Sequence, residues 1–307
     1  MSEPRTVFRV GPKDAGKRLD RFLNERIPGL SRSRIQEAIR ARVTLTWDVR
    51  PRPSTSVRPG GEVHIGYVPV PETLLDVAIP ILGRGEGWLA VNKPSGIPVH
   101  PVNRVRENSL IRILRRQEGD EGLRLAHRLD RETSGVLLVA TDVPSSRALS
   151  LAFQRGFVEK EYLAVVAGVV DRDEGSVDLP IGDAGGSKVY VRRQAGQGQT
   201  CLTEWEVDRR CAGCTVLRVF PRTGRRHQIR VHLAAIGHPI LGDLLYGRPD
   251  EEYLDLVRSG RDARAEGSGP RRQLLHCARL GFPEPAGRAR AEVSAPPPEE
   301  FRAVVGG

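Results

Sequence analysis

The chain has 307 residues, 39% hydrophobic and 28% charged, which is enough for an ordinary core and long enough for two domains. Its apolar runs are short, as in Val136–Ala140, which excludes a membrane-spanning helix, and the N-terminus lacks the apolar core of a secretion signal, so a cytoplasmic protein is expected. The net charge of +10 is uneven: residues 1–70 hold 14 Lys+Arg against 7 Asp+Glu, a basic module suited to a polyanion on a near-neutral body.

Residues 18–27 place Leu19, Phe22, Leu23 and Ile27 at helical spacing, and Pro28-Gly29 ends that helix. Ser31 or Ser33 caps a second helix whose apolar stripe is Ile35, Ala38 and Ile39. Arg32, Arg34, Arg40 and Arg42 are left on its other faces, a phosphate-facing surface. Short β segments follow at Val43–Thr46 and Glu62–Ile65. The prolines of Val68-Pro-Val-Pro-Glu72 resist regular structure, so 71–78 reads as a linker between an N-terminal module, 1–70 with its core at 16–67, and a larger domain, 79–307.

In that larger domain a strand is expected over Trp88–Asn92, stopped by the turn Lys93-Pro-Ser-Gly96. Ser109–Arg116 and Ser145–Phe153 read as helices. Gly182–Gln199 reads as a loop without the glycine-lysine order of a nucleotide P-loop, which argues against an NTP site. Cys211-Ala-Gly-Cys214 has the spacing of a zinc half-site or redox pair, yet Gly213 lies between strand-like runs at Thr203–Val207 and Thr215–Phe220, which favours a hairpin. Glu251–Gln273 reads as a surface insertion around a short helix, and Pro296-Pro-Pro298 precedes a last one.

One stretch concentrates reactive side chains. In Leu125-Ala-His-Arg-Leu-Asp-Arg-Glu-Thr-Ser-Gly135 a carboxylate, Asp130, sits among His127, Arg128 and Arg131 immediately before the apolar run Val136–Ala140. Cations beside a carboxylate favour its ionised form, suited to act as nucleophile or base. A solvated, charged turn ahead of a buried strand accounts for the same residues without chemistry.

Further motifs take the reading beyond that. Lys93-Pro-Ser-Gly96, His127-Arg-Leu-Asp130 with Thr133-Ser-Gly135, Lys160-Glu-Tyr162, Thr223-Gly-Arg-Arg-His-Gln-Ile-Arg230, Gly237-His-Pro-Ile-Leu-Gly-Asp243 and Leu275-His276 occur in an order that resembles the RluA family of pseudouridine synthases across about residues 85–305. Arg226 stands where a smaller residue is more usual. Arg18-Leu-Asp-x-Phe-Leu23, Ser31-Arg-Ser-Arg-Ile35 and Pro59-Gly-Gly-Glu-Val-His-Ile65 resemble the small RNA-binding domain named after ribosomal protein S4, with a departure at Ala41–Asp48, where that family has a glycine and an Asn-Gly turn.

The resemblance implies an α+β fold with a mixed, mainly antiparallel central sheet flanked by helices and loops, and the isomerisation of RNA uridine to its C-glycoside without metal or redox cofactor. It implies Asp130 as the essential aspartate, attacking the sugar or removing the C2′ proton. Tyr162 stacks on the flipped uracil and Arg230 pairs with the aspartate. Arg128 and His127 lie at the base, Arg128 filling the gap the base leaves. Leu275 packs the pocket floor, and Lys93 positions its loop or meets phosphate. The expected partner is RNA, ribosomal RNA ahead of tRNA, bound by a monomer. Two other readings remain: an RNA-binding assembly factor without chemistry, and a carboxylate-pair glycoside hydrolase, for which Glu132 is the near candidate second acid.

Overall fold

A computed structural model describes residues 5–27, 32–66, 72–102, 105–259, 270–287 and 289–305. The helix end at Pro28-Gly29, the cap at Ser31, all of the Val68–Glu72 connector but Glu72, and the middle of the 251–273 insertion lie outside those residues. The chain divides into two compact units, Met1–Thr73 and Leu74–Gly307.

In the first unit, β1 (Arg5–Arg9), β2 (Val43–Leu45) and β3 (Glu62–Gly66) form an antiparallel sheet in the order β1-β3-β2, packed with α1 (Leu19–Asn24) and α2 (Arg32–Arg42). Phe22, Leu23, Ile35 and Ile39 are fully buried among Val63 and Ile65, so the apolar stripes read from helical spacing do face a common core. Trp47, in the divergent segment after β2, packs back onto that core. The edge strand β1 had no counterpart among the elements expected from sequence.

The second unit is built on a ten-stranded sheet. It comprises β4 (Ile81–Gly85), β5 (Trp88–Lys93), β6 (Arg124–Leu125), β7 (Ser134–Ala140), β8 (Glu159–Ala167), β9 (Glu174–Asp178), β12 (Leu202–Cys211), β13 (Cys214–Pro221), β14 (Leu275–Pro283) and β15 (Arg290–Ser294). The order is β4-β5-β7-β14-β8-β13-β12-β9, with β6 against β7 and β15 against β14. Among the described residues every pairing in it is antiparallel except β7 with β14. Every residue of β7 is buried, as a strand covered on both faces requires. The helices are α3 (Leu110–Glu118), α4 (Val143–Gln154), α5 (Gln228–Ala235), α6 (Asp250–Ser259) and α7 (Glu299–Val305). The architecture is α+β with a mainly antiparallel sheet, as expected.

Two sequence expectations need correction. The 182–199 stretch is not all loop: β10 (Ile181–Asp183) pairs with β11 (Arg193–Ala195) in a short antiparallel ribbon. The second half of the expected linker belongs to the larger unit, because the Leu75 and Ile79 amides donate to Asn108 Oδ1 and Gln117 Oε1 at 2.9 and 2.8 Å. The Cys211–Cys214 pair does form a hairpin end, the two residues facing each other across β12 and β13.

Candidate active site

The turn between β6 and β7 carries Asp130, and it is clamped from three directions. The consecutive carbonyls of Asp130, Arg131 and Glu132 accept from the Thr133 amide (3.1 Å), Lys93 Nζ (2.9 Å) and Arg272 Nη1 (2.9 Å). Gln273 Nε2 donates to Thr133 Oγ1 at 2.9 Å, and Arg131 Nε to Gly96 O at 2.7 Å. Gly135 leaves this turn at φ +111°, and a Cβ there would lie 2.1 Å from the Cys277 carbonyl of the neighbouring parallel strand. Only glycine fits that approach and that backbone conformation.

Asp130 is half-buried in a cavity of about 660 Å³, a usual size for a small-molecule site. Burial works to raise its pKa, but the Arg230 guanidinium, with Arg128, outweighs that and holds the carboxyl below its usual range. Arg230 Nη1 donates to Asp130 Oδ2 at 2.8 Å. Its Nε and Nη2 grip Asp243 at 2.7 and 2.9 Å, a bidentate pair that aims the guanidinium. Burial disfavours the Arg230 cation, yet Asp243 and Asp130 raise its pKa overall. Asp243 Oδ1 also accepts the Leu245 and Tyr246 amides, so a fully satisfied buried carboxylate anchors the site cation.

Tyr162 and Leu275, on the paired strands β8 and β14, line the same cavity. Burial and the adjacent Cys277 push the Tyr162 phenol well above its ordinary pKa, so the ring is neutral. The cavity wall carries seven cationic side chains, Arg128, Arg155, Lys160, Arg222, Arg225, Arg226 and Arg230, against one carboxylate among the described residues, Asp130. Burial lowers Lys160 to about 8, and its Nζ donates to Thr223 O at 3.2 Å. Such a lining attracts a polyanion and disfavours an acid pair.

Residues 87–235 match the family model for RNA pseudouridylate synthases. Ribosomal large subunit pseudouridine synthase C of Escherichia coli is 33% identical over 310 residues, covering 96% of this chain and 94% of that protein. Its counterpart D from Xanthomonas campestris is 32% identical, covering 95% and 88%. The chain belongs to the RNA pseudouridine synthase family. Its members are isomerases of RNA uridine. The solved structure of human RNA pseudouridylate synthase domain containing 1 superposes with TM-score 0.59 at 27% identity, covering 73% of this chain and 86% of that one.

Within this synthase, Asp130, Tyr162, Arg230, Arg128, His127 and Leu275 come together on one cavity. His127 is a neutral acceptor: burial pushes it down to about 3, its Nε2 takes the Leu138 amide at 3.0 Å, and it stacks on Phe153. Of the two roles expected for Lys93, its contacts fit the positioning of its loop. It is fully buried, off the cavity wall, and spends its ammonium on the Pro94 and Arg131 carbonyls at 2.7 and 2.9 Å, so it braces the turn. Glu132 does not line the cavity either, which leaves the glycoside-hydrolase reading without its acid pair.

Three contributors were given no role in sequence, Asp243, Arg272 and Tyr246, although Asp243 ends the Gly237–Asp243 motif. Arg230 sits between Ile229 and Val231 in a helix buried along most of its length, and a cation placed so demands a buried acid. That demand was the available signal for Asp243. Among the described residues no group of three or more His, Cys, Asp or Glu is arranged to hold a metal ion.

In the smaller unit, Arg32, Arg34, Arg40 and Arg42 are all exposed on α2. Arg32 shares the fully buried Asp20 with Arg18 and Gln36, at 3.3, 3.0 and 3.1 Å. One carboxylate therefore fixes α1 against α2 and holds part of the cationic face in place. Across the described residues no helix is long and apolar enough to cross a membrane.

Proposed function

We propose that this protein converts specific uridines of large-subunit ribosomal RNA to pseudouridine, working as a monomer in the cytoplasm with Asp130 as its reacting carboxylate. The observation that carries the reading is the single ionised Asp130, gripped by Arg230 in an otherwise cationic cavity. The names of the relatives that span nearly the whole chain favour ribosomal RNA as substrate.

A stacked uridine hides its reacting edge, so the nucleoside must leave the helix, at a cost of roughly a few kcal/mol. Arg128, exposed at the cavity wall, takes the space the base leaves. The uracil stacks on the neutral Tyr162 ring, an interaction worth roughly 1–3 kcal/mol, with Leu275 beneath. Anionic Asp130 then serves either opening, attack at C1′ or removal of the C2′ proton. The N1–C1′ bond breaks, the uracil turns, and C5 bonds to C1′; the C5 proton then leaves and N1 takes one up, so the product is an isomer of the substrate and Asp130 is returned as the anion. Burial keeps the Tyr162 proton in place, which favours a stacking role over that of a phenolate base at C5. Residues 1–70 act as an S4-like module whose Arg32, Arg34, Arg40 and Arg42 meet RNA phosphates.

Carbodiimide mapping of ribosomal and transfer RNA from cells with and without the gene tests this. Loss of defined pseudouridines in large-subunit rRNA is the expected result. Loss confined to tRNA would reassign the substrate, and an unchanged map would overturn the activity.

A further inference from the structure

Arg230 engages one oxygen of Asp130, Oδ2. The other, Oδ1, faces His227, whose Nε2 lies 3.9 Å away. Among the described residues His227 is alone, outside glycine, in having a positive φ, at φ 60° and ψ 17°. A left-handed backbone is costly for a side-chain-bearing residue and persists where the surroundings enforce it, often at functional sites. Here the strained residue is the one immediately before α5, and its ring lines the cavity wall.

The hydrogen bonds around the ring fix its proton. Tyr246 Oη accepts the Arg193 backbone N–H at 3.1 Å and lies 2.8 Å from His227 Nδ1. With one lone pair of Oη already engaged, its O–H is free to donate to Nδ1, an arrangement in which Nδ1 is the acceptor nitrogen of a neutral imidazole. The imidazole proton then sits on Nε2, the nitrogen 3.9 Å from Asp130 Oδ1. Burial lowers His227 to about 4 although Asp130 opposes it, so the ring is uncharged at physiological pH. A neutral donor orients a carboxylate oxygen without adding a second full positive charge, which would stabilise the anion and blunt it as nucleophile or base.

We propose that His227 is a positioning residue for the reaction: a neutral Nε2–H, its tautomer set by Tyr246, that closes from 3.9 Å onto Oδ1 of Asp130 in the substrate complex and orients it while Arg230 holds Oδ2. The proposal rests on the reading of Asp130 as the reacting carboxylate of a uridine isomerase.

Two full-length variants test it, with single-turnover pseudouridine formation on the rRNA substrate as the readout. His227→Gly relieves the backbone and removes the ring. It should melt no lower than the parent, bind RNA within about twofold, and react at least about tenfold more slowly. Tyr246→Phe keeps the ring beside Arg230 and removes only the hydroxyl that sets the tautomer. It should lower the rate in the same direction at unchanged RNA affinity. A folded His227→Gly or Tyr246→Phe reacting at the parent rate overturns the proposal, and if His227→Gly fails to fold, Tyr246→Phe decides alone. A parent protein that makes no pseudouridine overturns the proposed function and this inference with it; an active parent with indifferent variants overturns this inference alone.

Discussion

Arg230 stands between two carboxylates, and their environments differ. Asp243 is buried and bidentate to it, whereas Asp130 is half-buried and accepts a single hydrogen bond from it. Asp243 therefore fixes the cation and Asp130 uses it. Removing one charge from a buried pair leaves the other uncompensated, at a cost of about 3–5 kcal/mol. Asp243→Asn should destabilise the larger unit by about that much in denaturant unfolding and slow pseudouridine formation, although Asp243 does not line the cavity. A variant as stable and active as the parent would show that Arg230 needs no anchor. Lys93 gives a pH test. Burial lowers its pKa to about 7 from an ordinary 10.5, so above pH 7 the unfolded chain binds the extra proton and stability rises with pH. The parent should thus gain stability relative to Lys93→Met between about pH 7 and 10, measured by urea unfolding at several pH values. A flat difference would mean that Lys93 keeps its proton.

At the scale of elements, the site depends on how tightly β7 and β14 approach. Gly135→Ala would drive a Cβ into the Cys277 carbonyl at a backbone angle that alanine avoids. It should lower the melting temperature by several degrees and abolish activity, as measured by thermal unfolding and rRNA modification; a variant that melts and reacts like the parent contradicts the packing described. Elements with a clean period were legible in sequence: α3 and α4 from their apolar faces, β5 and β7 from their apolar runs. Helix α5 was not, because a helix buried along most of its length shows no polar face, and its Arg, Gln and His read as a polar motif. The β10–β11 ribbon was hidden by glycines and by strands of three residues. The residues on the cavity were legible as motifs, but the anchoring roles of Asp243, which ends one of those motifs, and of Arg272 were not. Their partners lie 13 residues and more than a hundred residues away, and spacing along the chain carries no sign of that.

At the scale of the whole molecule, charge and chemistry are divided. The small unit, Met1–Thr73, carries +6 of the net +10, with 14 Lys+Arg against 8 Asp+Glu, and the large unit carries Asp130, the acid proposed to react. Removing residues 1–73 should weaken RNA binding and make its salt dependence shallower, since each phosphate left without its cation lowers the slope by about 0.7 for single-stranded RNA; filter binding from low to high salt reads both. An unchanged slope would mean that the basic unit does not meet phosphates. The division into two units was visible in charge and proline placement, while the way Asp20 ties α1 to α2 was not, since Arg18, Arg32 and Gln36 looked like separate polar residues.

The central claim is that Asp130 reacts. The most direct measurement restores the gene, as parent or as Asp130→Asn, to cells lacking it and maps pseudouridine in large-subunit rRNA. The parent should restore the missing modifications, and the asparagine variant should bind the same RNA and restore none. Modifications restored by Asp130→Asn would contradict the account.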